Sequence, residues 1–411
     1  MMFRRRSRSL NERELRLWKV GRTLVLAFVA AVLVAGGVFY GLVVLLDFQE
    51  VDTTAKLDAK TLFDLVKLSF GVVAGSGALV ALVVAYRRQR VDEAGAHREA
   101  TRLHTERFSQ AVDKLGSDSP AVRLGGVHAL AGLADDAPND SLRQTCIDVL
   151  CAYLQLPFTP DPGNDPAHQE EHHRYLALRK VRHTILRLIG DHYRRPRGTH
   201  RSWQGCDLDL TGVTIDGDMD FRGATFFGGT VSFRGATFSG GTVSFRGATF
   251  SGSEVSFGGA TFSGSAVFFG GATFSGSAVS FRGATFSGGT VSFSGATFSS
   301  GTVSFFYATF SGGTVSFRGA TFSGSTVSFT GATFPDGTVF FDNATFSSGT
   351  VSFRGATFSD GTVTFIDATF PGSEVHFTDL EGGPAPVGLL TAIASTSVGV
   401  TLPPSWVTTN P

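Results

Sequence analysis

A chain of 411 residues with 35 Lys+Arg against 35 Asp+Glu has room for two or three domains, and with 17% charged residues it lacks the charge of a basic nucleic-acid binder. Its 51 Gly against 14 Pro exclude collagen. Three Cys exclude a disulfide scaffold, and 39 Phe among so few charges exclude a disordered chain.

Residues 1–22 form a basic segment: Arg4, Arg5, Arg6, Arg8, Arg13, Arg16, Lys19 and Arg22 face only Glu12 and Glu14. Thr23 to Leu46 then carries no charge, and a second uncharged run follows from Leu68 to Tyr86. A bilayer span needs about 20 such residues, so 23–86 is expected to form a transmembrane hairpin. Arg87, Arg88 and Arg90 follow the second run, whereas the connection holds Asp47, Glu50, Asp52, Asp58 and Asp64 against Lys56, Lys60 and Lys67. Positively charged flanks stay in the cytoplasm, which predicts a multi-pass protein of the plasma (inner) membrane with both termini inside. A cleaved signal is the competing reading. The long basic region, the second run and the absence of a small-residue cleavage site count against it, and Arg4-Arg5-Arg6 lies too far from Thr23 for a twin-arginine signal. Gly37-x-x-x-Gly41 and Gly71-x-x-x-Gly75 place small residues one turn apart, either for close helix packing or as the ordinary Gly content of membrane helices.

Residues 87–200 read as a cytoplasmic helical region. A charged stalk from Arg87 to about Leu115 continues the second span. Ser117-Asp-Ser-Pro120 opens a helix with an apolar stripe at Val122, Val127, Leu130 and Leu133. Leu142, Cys146, Val149, Leu150 and Tyr153 form the next stripe, so the two helices are expected to pair in a HEAT-like hairpin. Cys146 and Cys151 read as core thiols. Residues 157–170 are rich in Pro, Asp and Asn and read as a linker. A third helix is expected from Glu170 to Tyr193. The basic cluster from Arg174 to Arg197 along and beyond it is either a solvated face or a contact for anionic headgroups. His168-Gln-Glu-Glu171-His172 matches a zinc pattern, but its first His falls in the linker and no third ligand is placed by any motif, so no metal is assigned.

From Phe221 to Phe377 the sequence repeats every twelve residues without a slip. One unit is Arg234-Gly-Ala-Thr-Phe238-Ser-Gly-Gly-Thr-Val243-Ser-Phe245. Ala236 and Phe238 flank Thr237, and Val243 and Phe245 flank Ser244. This alternation of very short strands puts the apolar residues on one side and Thr and Ser on the other. Gly-containing turns separate the strands. A single unit buries too little to offset its own ordering, so the units must stack and share an interior: the predicted fold is a β-solenoid beside the helices.

The steps between successive Phe alternate between five and seven residues. The five-residue step, Phe233-Arg-Gly-Ala-Thr-Phe238, resembles the pentapeptide repeat family, with a large apolar centre and a small residue two positions before it. In the lead-in, Leu210 and Ile215 are such centres, preceded by Leu208 and Val213. The resemblance covers about 206–380, and the two extra residues of the long step and the near-universal Phe depart from the usual pattern. It implies a right-handed four-sided β-helix with 24 residues per coil and roughly seven coils. A flattened two-sided coil of 12 residues is the alternative. The two-span start and the stretch Phe108-Ser-Gln-Ala-Val-Asp-Lys-Leu-Gly116 followed by Val122-Arg-Leu-Gly-Gly-Val-His-Ala-Leu130 resemble bacterial membrane-anchored members of that family. The tail, 381–411, either covers the last coil's open edge or stays loose.

Arg246, Arg282, Arg318 and Arg354 recur every 36 residues, through duplication of units in threes or as a spaced row for an anionic partner. The repeat holds one His and no nucleophile with a base at motif spacing, so no catalytic, cofactor-binding or metal residue is assigned, and the chain is expected not to be an enzyme. The expected role is a membrane-anchored scaffold whose solenoid and helices dock an unidentified protein partner. DNA mimicry with topoisomerase inhibition is one alternative, but residues 206–380 hold twelve acids and six Arg, too few acids for that mechanism. A water-ordering solenoid that binds ice through a row such as Thr242 and Ser244 is another, weakened by the irregular Ser253-Glu254 and Ser265-Ala266.

Overall fold

The computed structural model describes residues 59–359, 361–380, 385–394 and 399–407, with a few scattered positions between 29 and 40. It divides into two units, Met1–Ala100 and Thr101–Pro411. In the first, most described residues belong to helix α1, Ala59–Leu115, which runs without a proline into the second unit. Judged on the described residues, no helix is long and apolar enough to cross a membrane. The first predicted span, 23–46, lies almost wholly outside those residues, and several side chains of the second, 68–86, lie outside them too. Among the described residues, a Cβ built at Gly71 or Gly75 would meet nothing within 4 Å, so no packed neighbour is seen at that small-residue pair.

The second unit opens with the end of α1 and then α2, Pro120–Asp135, and α3, Asp140–Gln155. Pro120 sits in the first turn of α2, where its missing N–H costs nothing. Asn139 caps α3 by accepting a 2.9 Å hydrogen bond from the Leu142 N–H. The linker contains a short 3-10 turn, Pro166–His168, that leads directly into α4, Gln169–Tyr193. α2 packs against both α3 and α4. The shared core is built from Val127, Leu130, Cys146, Ile147, Leu150, Val181, Ile185 and Ile189, all fully buried. Val122, placed on the stripe by its spacing, is instead 42% exposed, because the buried face of α2 begins at Gly126.

From Leu208 the chain winds into a solenoid of about eight turns, against the roughly seven expected, and Leu208–Asp209, Thr214–Asp216, Met219–Asp220 and Thr225–Phe227 form its first coil. Later coils have four strand positions, mostly of three residues, and Thr321–Ser328 and Thr345–Ser352 each run through two of them. Thr237–Ser239, Thr242–Ser244, Thr249–Ser251 and Glu254–Ser256 make one coil, and Thr261–Ser263 then lies back on Thr237–Ser239. The pairing is parallel with a register of 24, as in Phe262 against Phe286. The 12-residue coil is thereby excluded. The first coil is one residue shorter at its start, with Leu208 opposite Val231.

The alternation sets the interior. In the coil from 237 to 260, Phe238, Val243, Phe245, Ala248, Phe250, Val255, Phe257 and Ala260 are all fully buried. Stacked coils align the rings into four ladders. Phe238–Phe262, Phe245–Phe269, Phe250–Phe274 and Phe257–Phe281 have centroids 4.7, 4.9, 4.8 and 4.9 Å apart and lie within 4° of parallel. The two central ladders meet edge to face, as in Phe257–Phe269 at 5.7 Å and 87°. The two extra residues of the long step fall at the Gly240-Gly241 corner between Thr237–Ser239 and Thr242–Ser244, and Val243 and Phe245, two apart, both point inward. The short step closes through a turn in which the Ala236 N–H donates to the Phe233 carbonyl and Gly235 takes φ +63°, as a type II turn demands.

Both ends of the ladders are covered. At the start, Tyr193 of α4 is fully buried with its ring 4.9 Å from Phe226, and its hydroxyl donates to the Cys206 carbonyl. At the finish, the described part of the tail packs on the last coil rather than lying loose. Val400–Thr401 pairs with Ser373–His376, helix α5 (Leu389–Ala394) buries Leu389, and helix α6 (Pro404–Val407) sets Trp406 5.7 Å from Phe377.

Candidate functional surfaces

A filled interior leaves the solenoid only its side walls. On the Ala-Thr-Phe strands the outward residues form continuous columns. Thr249, Thr273 and Thr297 follow one another on one wall, and Thr237, Thr261 and Thr285 on another. Neighbouring hydroxyls touch where Thr333 meets Thr309 at 3.3 Å. These regular columns were not singled out in the sequence, although the invariant Thr of the Ala-Thr-Phe triplet was their signal. The expected Thr242–Ser244 row is irregular in space. Ser244 is buried, and Ala266 and Phe268 occupy the next positions in register.

The recurrent Arg residues do not form one row. Thirty-six residues are one and a half coils, so successive members alternate between opposite corners: Arg246 and Arg318 share one column, Arg282 and Arg354 the other. Each is engaged locally. Arg246 lies 4.2 Å over the Phe268 ring and Arg318 3.8 Å over Phe340. Arg318 also reaches Asp342 at 3.3 Å, Arg282 covers Phe306, and Arg354 pairs with Asp379 at 2.8 Å. The Val-Phe-Phe variants at Phe268 and Phe340 thus supply platforms for the cations of the preceding coil.

The acidic lead-in is likewise spent on the fold. Asp207 accepts from the Thr230 N–H at 2.7 Å and Asp218 from the Thr242 N–H at 2.8 Å. Asp216 takes the Tyr175 hydroxyl and lies 3.8 Å from Arg179. Burial, then this carboxylate, push the Tyr175 phenol up to about 12. Asp220 is held at about 2, chiefly by its hydrogen bonds from the Arg222 side chain. The basic cluster is mostly the other half of this seam. Arg194 donates to the Asp220 and Arg222 carbonyls, both at 2.9 Å, Arg182 donates to the Thr214 carbonyl at 2.9 Å, and Arg197 covers Phe227 at 3.9 Å. Arg174 and Arg187 pair with Glu170 and Asp191 on their own helix.

Of the zinc-like pattern, His168 stands at the start of α4 with its Nδ1 3.7 Å from Glu171, whereas His172 turns to Asp161 at 2.6 Å. Among the described residues no group of three or more His, Cys, Asp or Glu side chains is arranged to hold a metal. Burial pushes the Cys146 thiol up to about 11 and Cys151 to about 12.

Residues 227–270 and 257–309 match the family model of pentapeptide repeats. No curated protein and no solved structure matches the chain. The match falls on coils whose strands, turns and inward centres are those described above, and the same register of 24 runs from Met219 before it to His376 after it. The repeat region thus has a β-helix fold of the pentapeptide-repeat kind, matched by that family model over residues 227–309.

Proposed function

We propose that this protein is a membrane-anchored interaction module whose pentapeptide-repeat β-helix docks a protein partner and performs no chemistry of its own. The observation that carries the reading is the closure of the solenoid at both ends over a Phe-filled interior, which leaves flat Thr/Ser walls as its means of contact. Anchoring is supported by the uncharged runs 23–46 and 68–86 and by their basic flanks, which orient both termini to the cytoplasm.

The test is fractionation of the full chain expressed in a bacterial host, followed by crosslinking and pull-down from detergent-solubilised membranes. Retention in the membrane through an alkaline carbonate wash is expected, together with a crosslinked protein that is lost when Thr261, Thr285 and Thr309 are changed to Lys. Release by carbonate removes the anchor from the proposal. Salt-sensitive topoisomerase inhibition or thermal hysteresis by the purified chain would replace the docking role with DNA mimicry or water ordering.

A further inference from the structure

The end of α1, α2, α3 and α4 surround an open cleft of about 450 Å³ within the second unit. Its walls are largely apolar, with Val112, Val149, Leu156 and Leu178 among them, and Leu156 stands 56% exposed at the rim. Two guanidinium groups, of Arg123 and Arg182, line the same cleft.

Neither guanidinium forms an ion pair with any described carboxylate, although the three other Arg residues of α4 do. Arg182 is 6% exposed, with one Nη bonded to the Thr214 carbonyl and its plane 4.6 Å from the Phe158 ring. No described acceptor meets its other N–H groups, which are not sealed from solvent. Arg123 donates through Nε to the Ser117 carbonyl and through Nη1 to the Tyr153 hydroxyl at 3.4 Å. A cation buried to this degree without a counter-ion is costly, and an anion brought by a ligand would remove that cost. The cleft is of the size that takes small molecules and far too small for a folded partner. An apolar wall beside a pair of fork-shaped cations fits one kind of molecule: a hydrocarbon tail ending in an oxyanion.

We propose that this cleft binds a single-chain amphiphile whose carboxylate or phosphate head pairs with Arg123 and Arg182 while its tail lies against Val112, Val149, Leu156 and Leu178. The site is independent of the solenoid walls and of the membrane anchor, so it stands or falls separately from the docking role.

The test uses the full chain and a decanoate carrying a diazirine in its tail, with labelled peptides mapped by mass spectrometry. Labelling is expected within 149–158 and 176–182. Excess decanoate or decyl phosphate should compete, and the stronger of the two identifies the natural head group. Decanol and inorganic phosphate should each compete at least about tenfold less well, decanol for want of the charged hydrogen-bonded head and phosphate for want of the apolar tail. Arg123→Gln, on a half-exposed side chain, should lower labelling by about tenfold with an unchanged melting curve, and Leu178→Asp should do the same from the apolar side. Labelling spread over the chain, equal competition by decanol, or undiminished labelling of Arg123→Gln would overturn the proposal.

Discussion

At the scale of single residues, the two glycines of a Ser-Gly-Gly-Thr corner look equivalent in the sequence and are not equivalent in space. A Cβ at Gly240 would meet nothing within 4 Å, whereas one at Gly241 would strike the backbone of Gly217 in the coil before. Gly289 combines both constraints: φ is +111° and a Cβ would fall inside contact distance of the Ser265 carbonyl. Gly289→Ala should therefore cost about 3 kcal/mol, a left-handed penalty plus overpacking, while Gly235→Ala, with φ +63° and open space, should cost about 1 kcal/mol. Chemical denaturation of the two variants checks the difference; equal losses would mean that the coils do not approach as closely as described. The thiols give a second reading of burial. With Cys146 up to about 11 and Cys151 up to about 12, both remain protonated and covered at pH 8. Ellman's reagent should leave these two unreacted in the native protein and titrate all three Cys in guanidinium chloride, as counted by absorbance. Fast labelling of Cys151 in the native state would contradict its place between α3 and the first coil.

At the scale of elements, the informative junction is where the helices meet the solenoid. Asp135, at the end of α2, accepts from the Trp203 indole N–H at 3.1 Å and faces His192 at 3.0 Å and Arg195 at 3.5 Å, with its side chain 12% exposed. Trp203 is itself fully buried and stacks on His192 at 4.0 Å. Asp135→Ala leaves the Trp203 indole N–H and the Arg195 guanidinium without their shared acceptor and should cost about 3 kcal/mol. It should also move Trp203 emission to the red at a denaturant concentration where the wild type is still native. A red shift without loss of stability would show that the cluster orders Trp203 but does not hold α2 to the junction. The helices themselves were legible, because their apolar spacing and caps are local. The junction was not, since Asp135, His192 and Trp203 are separated by tens of residues and none belongs to a motif. The same reason explains the basic cluster: charge along a helix reads as a solvated face until the carbonyls of Thr214, Asp220 and Arg222 are placed opposite it.

At the scale of the whole molecule, the solenoid behaves as a stack in which each coil touches only its neighbours, so its stability is a sum of coil and interface terms. Removal of residues 270–293, one full coil, keeps every ladder in register and should lower the melting temperature by only a few degrees. Removal of five residues, 282–286, takes out one short step, brings Val and Phe strands to the wrong walls, and should abolish cooperative unfolding by circular dichroism. Equal tolerance of both deletions would refute the 24-residue coil.

By itself the sequence determined the interior and the repeat. A strict twelve-residue period with apolar residues at every second position of each short strand permits only stacked coils with those residues inside. Only the tertiary structure decided the number of walls, because a 12-residue and a 24-residue turn bury the same side chains and differ solely in which strands pair. That choice then fixed the solenoid's walls. It sent Arg246 and Arg282 to opposite corners and aligned the Thr columns, since an outward residue's neighbours there are set by the coil above and below it and by nothing in its own segment. The cleft that Arg123 and Arg182 share comes from the packing of helices far apart in the chain, which no local pattern announces.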